Sequence, residues 1–204
     1  MSLVVVGISH HSSALQLRER MVFPAQVVPN ALLRLARRCD GAGVVLLSTC
    51  NRVEIYMHHP APAETRFSEI RAFLSEWHGI PESEFADSLY SHSDRDMVGH
   101  LYRVASSLDS LVIGEVQILG QVHDAYLVAR AEQTVDKVLH ALFQRAFTAA
   151  KNVRTQTSIG EGKVSVSSVA VDLAASIFKE LDGKTVTVVG SGEMAELTLR
   201  SLVD

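Results

Sequence analysis

Apolar positions along this chain follow two rhythms that alternate in a definite order. Leu3 to Ile8 is an unbroken apolar run, as expected of a short strand buried on both faces. Ser9-His10-His11-Ser12-Ser13 interrupts it, and Ala14 to Met21 predicts a short helix. After Pro24, Val27, Val28, Ala31, Leu32 and Leu35 recur at helical spacing until Asp40-Gly41 stops the pattern. Val44 to Leu47 predicts a second buried strand. Arg52 to Met57 predicts a third, with Val53, Ile55 and Met57 alternating against Glu54, Tyr56 and His58. Glu64 to Trp77 carries Phe67, Ile70, Phe73, Leu74 and Trp77 on one helical stripe, closed by Gly79 and Pro81. A short fourth strand is expected at Ser88 to Tyr90, followed by a helix capped by Ser93 that bears Met97, Leu101, Val104 and Ala105. With the first two helices taken as one layer, the order is β-α-β-β-α-β, the split βαβ pattern of a ferredoxin-like sheet.

From Ser106 to Gln121 the periodicity fades, and Glu115, Gln117 and Gln121 stand among apolar residues. This predicts a partly buried loop running into a helix over Leu119 to Ala131. Val135 to Arg154 predicts a strongly amphipathic helix, and Thr155 to Val166, polar with two glycines, a linker. Ser167 to Leu181 predicts another helix and Thr185 to Val189 a strand. Gly190-Ser191-Gly192-Glu193-Met194-Ala195 then opens an apolar helix that runs to Asp204. The fold class is α+β. A ferredoxin-like unit with extra helices occupies 1–157, and a linker with the first strand and helix of a truncated Rossmann-type domain occupies 158–204.

Composition narrows the class. The 204 residues are 47% hydrophobic and 21% charged, ordinary for a globular protein. A net charge of -4 argues against a chain that binds nucleic acid over its whole surface, so such a partner needs a local basic patch. The mild basic stretch of Arg145, Lys151, Arg154 and Lys163 is either a solvated helix face or a phosphate contact. Cys39 and Cys50 make no disulfide framework, which suits a reducing, cytoplasmic setting. No apolar run is long enough to span a membrane, and the first residues lack the basic leader of a signal peptide.

The candidate chemistry begins at Ser48-Thr49-Cys50-Asn51-Arg52, a polar break between two strands. A thiol is a weak nucleophile unless its thiolate is favoured, and a cation two residues away would favour it. The alternative is an inert structural cysteine, the reading given to Cys39 at its helix end. His100 shares the apolar face of its helix, either as a core-edge residue or as a proton carrier near Cys50. The other histidines show no zinc-type pairing with the cysteines, so no metal site is predicted. Ser110, Glu115, Gln117 and Gln121 offer donors and acceptors either to an amino acid or to a buried polar network. Gly190-x-Gly192-x-x-Ala195, between a strand and a helix, fits a dinucleotide phosphate loop, although one strand and one helix cannot close a Rossmann sheet.

Residues 48–56, Ser-Thr-Cys-Asn-Arg-Val-Glu-Ile-Tyr, resemble the signature of glutamyl-tRNA reductases. Gly7-Ile8-Ser9-His10-His11, Leu17-Arg18-Glu19-Arg20, Arg103-Val104-Ala105-Ser106, the run Leu108 to Glu115, Gln117 to Val122 and Ser165 to Ala170 resemble further blocks in the same order. The resemblance implies that Cys50 attacks the ester of glutamyl-tRNA(Glu), releases tRNA and holds a glutamyl thioester. NADPH then reduces the thioester to glutamate-1-semialdehyde, the first step of the C5 route to tetrapyrroles. It implies catalytic roles for Cys50 and His100, and a glutamate pocket of Thr49, Cys50, Asn51, Arg52, Ser110, Glu115, Val116, Gln117 and Gln121. Gly190, Ser191, Gly192, Glu193, Met194 and Ala195 would begin the NADPH loop. It further implies a homodimer in the full-length family and hand-over to glutamate-1-semialdehyde aminomutase. Residues 1–157 then read as the catalytic domain. Ser107 stands where the family usually has glycine, and the chain stops inside the NADPH domain, so the hydride step is not expected of it. The rival reading is a non-catalytic tRNA- or protein-binding module on a ferredoxin-like sheet, in which Cys50 is unreactive.

Overall fold

The computed structural model describes residues 2–160, 166–179, 181, 183–190 and 192–203. Four strands form one antiparallel sheet: β1 (Ser2–Ser9), β2 (Gly43–Ser48), β3 (Arg52–His59) and β4 (Tyr90–Ser93), in the order β2-β3-β1-β4. This order follows from the connections. Helices α1 (Leu15–Met21) and α2 (Val28–Arg38) carry the chain from β1 past the middle of the sheet to β2. A hairpin returns it as β3, and α3 (Ala63–His78) crosses to β4. Each crossover skips one position, into which the intervening strand fits antiparallel, as in the ferredoxin-like pattern. The fourth strand lies slightly later than the alternation suggests, because residues 86–88 form a short 3-10 turn.

The alternation in β3 suggests one face against a core and one against water. The structure buries both. Val53, Ile55 and Met57 lie in the apolar core, and Arg52, Glu54 and Tyr56 are equally buried on the other side. The later part of the chain covers that second face with α4 (Asp94–Ala105), α5 (Gln117–Ala131) and α6 (Lys137–Gln156). His100 of α4 reaches Glu54, and Phe143 of α6 meets Tyr56 edge to face. Helix α5 packs against β2, an outer strand of the sheet. Asp136 caps α6 by accepting from the Leu139 N–H at 2.8 Å. Its carboxylate also pairs with His58, in space that a side chain at Gly43 would fill.

The C-terminal stretch gives α7 (Val166–Phe178) and α8 (Glu193–Val203), which pack together. The strand expected at Thr185 to Val189 is not formed. Residues 184–190 pair with no other strand among the described residues, and a strand exists only as part of a ladder. Ser191 and Lys163 lie outside the described residues.

Candidate functional site

The hairpin joining β2 to β3 presents Cys50 at its tip. Thr49 shapes the turn: its N–H donates to the Arg52 carbonyl at 2.8 Å, and its hydroxyl oxygen accepts from Asn51 N (3.2 Å) and Arg52 N (3.1 Å). Beyond β1, the His10 N–H donates to the Asn51 carbonyl at 3.0 Å and ties the tip to the sheet. The thiol of Cys50 is therefore exposed on a backbone with little freedom. Cys39 is buried instead. Burial and the neighbouring Glu69 carboxylate push its thiol up to about 12, which leaves it protonated and inert.

Behind the thiol lies a closed polar cluster centred on Glu54, which is wholly buried. One carboxylate oxygen accepts from Arg52 (2.9 Å), His100 Nε2 (2.7 Å) and the Tyr90 hydroxyl (2.5 Å), and the other from the Tyr56 hydroxyl (2.5 Å). Burial alone would raise this carboxyl. The hydrogen bond from His100 and the charge of Arg52 outweigh it and hold the group well below the usual carboxylate range. Burial and the Glu54 charge drive the Tyr56 and Tyr90 hydroxyls the other way, so both stay protonated as donors. Gly7 makes the cluster possible. It pairs with Glu54 on one side and Tyr90 on the other, and a Cβ there would stand 2.8 Å from Glu54 Cγ and from the Tyr90 oxygen.

Arg52 is 2% exposed. Besides Glu54, its Nη1 donates to Asp109 at 3.0 Å, and its Nη2 to the Asp109 carbonyl. The guanidinium thus ties β3 to the loop after α4. The sequence offers Arg52 as a partner for the thiolate, and the resemblance puts it in the glutamate pocket; the structure shows Nη1 already engaged by two carboxylates of the chain and Nη2 by a backbone carbonyl. His100 has also found its partner in Glu54, and it does not line the cavity beside Cys50.

That cavity, about 200 Å³, is lined by Thr49, Cys50, Asn51, Arg52, Ser110, Glu115, Gln117 and Gln121, with Leu111 and Ile118 completing the wall. Eight residues singled out from the sequence are thus brought together from three separate segments. Val116 is not among them, being 56% exposed and turned to a different groove. The Ser110 hydroxyl is buried in the cavity wall without a partner among the described residues. A buried, unpaired hydroxyl is unfavourable until something bonds to it, and here a ligand can.

The loop carrying these residues is held from below. Ser107 adopts φ +61°, in the left-handed region that favours glycine. Its hydroxyl donates to the Glu115 carbonyl at 2.6 Å, and the Arg154 guanidinium bonds to that same carbonyl and to Ser107 Oγ (3.2 Å). Arg154 is therefore committed to the loop and is lost to any RNA-binding stretch. Sequence reasoning missed the parts played by Gly7, Glu54, Tyr90 and Asp109, and it set Arg154 in a basic stretch rather than under the loop. Only the register of the sheet and the packing of α4 and α6 reveal them. The one local signal is the repeated polar side of β3.

At the other end, Gly190 has φ +128°, and neither Gly190 nor Gly192 meets any atom within 4 Å of a would-be Cβ. Helix α8 starts directly after Gly192. Two glycines with open space around them before a helix start fit a phosphate contact. The strand that would back it is not formed among the described residues.

A sequence-family model described as "Glutamyl-tRNAGlu reductase, N-terminal domain" matches residues 6–157. The chain is 45% identical to a glutamyl-tRNA reductase of Thermodesulfovibrio yellowstonii, covering 100% of this chain and 49% of the relative. It is likewise 45% identical to one of Syntrophotalea carbinolica, covering 99% and 45%. The solved glutamyl-tRNA reductase of Methanopyrus kandleri is similar with a TM-score of 0.70 and 37% identity, over 98% of this chain and 46% of that one. The chain thus spans about half the length of the relatives it matches.

Proposed function

The chain belongs to the glutamyl-tRNA reductase family, and on that premise we propose that its Cys50 accepts the glutamyl group of glutamyl-tRNA as a thioester. The observation that carries the reading is an exposed thiol on a rigid hairpin tip, opening on a cavity whose wall holds an unpaired Ser110 hydroxyl beside Glu115, Gln117 and Gln121. The Cys50 sulfur attacks the ester carbonyl, the C–O bond to the ribose breaks, and the thiol proton leaves with the ribose hydroxyl. The cavity is sized for an amino acid. Glu115 suits the substrate ammonium, and Ser110, Gln117 and Gln121 suit its other polar atoms. The Glu54 cluster acts as the rigid backing of the site: it fixes Arg52, and through Asp109 it fixes the loop that carries Ser110.

His100 is under this reading a positioning residue, which holds the Glu54 carboxylate ionised. NADPH, when bound, supplies hydride to the thioester. Gly190, Gly192 and the start of α8 are the residues that would meet its phosphates, with Ser191 of the same loop. The division into a catalytic unit over 1–157 and a following linker and cofactor-binding segment belongs to the same proposal.

The test is incubation with glutamyl-tRNA labelled in the amino acid, followed by acid precipitation and treatment with hydroxylamine. The parent chain is expected to carry hydroxylamine-labile label and Cys50→Ser none. Equal labelling of the two would remove Cys50 from the role. An unlabelled parent that still binds tRNA would favour the non-catalytic module.

A further inference from the structure

The cavity at Cys50 has room for the glutamyl group but not for the nucleoside that carries it. The leaving group must lie elsewhere, and two grooves adjoin the cavity across α5. One runs beside β2, and its charged lining residue is Asp124, the wrong sign for an RNA end. The other, about 480 Å³, lies between α5 and α6, and Val116, Gly120, His123, Gln144, Phe147 and Lys151 are among its lining residues. It starts at Val116, between cavity residues Glu115 and Gln117.

Three features of this groove suit the end of an RNA strand. The exposed His123 ring is braced edge to face by the buried Phe147, with centroids 5.2 Å apart, and an exposed aromatic ring is what an unpaired base stacks on. Lys151 and Gln144 are exposed and bond to no described side chain, leaving a cation for phosphate and an amide for a base edge. The third feature is Gly120. It lies inside α5, where glycine is less stable than alanine, its φ is not positive, and a Cβ there would meet no atom within 4 Å. Nothing among the described residues requires a glycine. Close approach of an outside molecule to the helix backbone would.

We propose that the groove between α5 and α6 holds the 3′-terminal nucleoside of the acyl donor while the glutamyl group lies in the Cys50 cavity. The proposal rests on the acyl-transfer reading above and adds where the RNA end binds. It gives Val116 a place on the nucleoside side of the α5 start, and Lys151 the phosphate contact that Arg154 is not free to make.

The test compares Gly120→Phe, whose Cβ meets no atom within 4 Å and whose ring is meant to fill the groove, and Lys151→Glu with the parent chain. Cys50 acylation is followed by intact mass with two donors: glutamyl-tRNA and a phenyl thioester of glutamate, which lacks any nucleoside. Binding of a fluorescent RNA oligonucleotide ending in CCA is read by anisotropy. Both variants should lose about tenfold or more in acylation from glutamyl-tRNA and in oligonucleotide affinity. Acylation from the phenyl thioester should be unchanged, and the Lys151→Glu deficit should shrink as salt is raised. Variants that match the parent with glutamyl-tRNA and with the oligonucleotide would overturn the assignment. So would variants that lose both donors equally, since the lesion would then be general. A parent chain that reacts with the phenyl thioester but shows no oligonucleotide binding sinks the groove alone. A parent whose Cys50 accepts neither donor sinks the acyl-transfer reading as well.

Discussion

Replacing Glu54 by Gln tests whether the buried cluster is the foundation of the site. The change keeps the side-chain shape and removes one charge. In the parent, four donors converge on the carboxylate: Arg52, His100, Tyr90 and Tyr56. In the variant the amide oxygen can keep the three bonds now made to Oε1. The amide nitrogen must face Tyr56, whose hydroxyl can rotate to accept. The principal loss is then the charge that compensates Arg52, with only the partly exposed Asp109 left to oppose it. Breaking a buried ion pair from one side costs about 3–5 kcal/mol, and the retained hydrogen bonds put Glu54→Gln near the lower end, about 3 kcal/mol. That is a large share of the ~5–15 kcal/mol by which such a protein is stable.

The pH dependence gives a second reading of the same variant. Glu54 is held below its unfolded value, so its contribution is fully present above the unfolded carboxyl range, near pH ~4.3, and is lost as pH falls below it. The gap between parent and variant should be constant from pH 7 to 5. It should then narrow by up to about 1.4 kcal/mol per pH unit toward pH 3. Urea unfolding followed by circular dichroism at pH 7, 5, 4 and 3 measures both. A difference under about 0.5 kcal/mol at pH 7, typical of a neutral surface change, would refute the reasoning. So would a gap that stays constant down to pH 3.

Gly7→Ala should cost about 1–3 kcal/mol, since its Cβ would press on Glu54 and Tyr90 where neither can retreat; a melting temperature equal to the parent's would contradict the close packing. Ser107→Ala loses the bond to the Glu115 carbonyl and keeps the positive φ, so it should destabilise by about 1–2 kcal/mol. Ser107→Gly, which relieves the backbone while losing the same bond, should lie within about 1 kcal/mol of the parent; the order of the two urea midpoints is the check. Iodoacetamide at pH 7.5 should modify the folded chain once, at Cys50. Cys39, buried and with its thiol raised to about 12, should react only after unfolding, and peptide mapping by mass spectrometry that found Cys39 modified in the folded chain would contradict its burial.

Much of the architecture can be read locally. The apolar runs of β1 and β2, the stripe of α3 and the Gly79 stop need only the residues themselves, because periodicity and backbone preference act over a few positions. Tyr90–Ser93 as the fourth strand does not follow from pattern: its apolar content is low, and pairing with β1 selects it. The expected strand at 185–189 fails for the converse reason, since apolar residues make a ladder only when another strand is beside them.

By itself the sequence determined the order of helices and strands as far as the long helix ending at Gln156, and it placed a cysteine in the turn of a hairpin. It also supplied the polar residues after α4, and with them the resemblance that singled these positions out. Only the tertiary structure decided which side of β3 met water, and the answer was neither. Helices drawn from residues 94–156 cover the polar side, so Arg52, Glu54, Tyr56 and His100 had to satisfy one another rather than solvent. That burial engages Arg52 and His100 with Glu54 and leaves Cys50 exposed at the mouth of the cavity. The physical reason is range: periodicity is a property of neighbours in the chain, whereas desolvation and pairing depend on what the rest of the fold places on top.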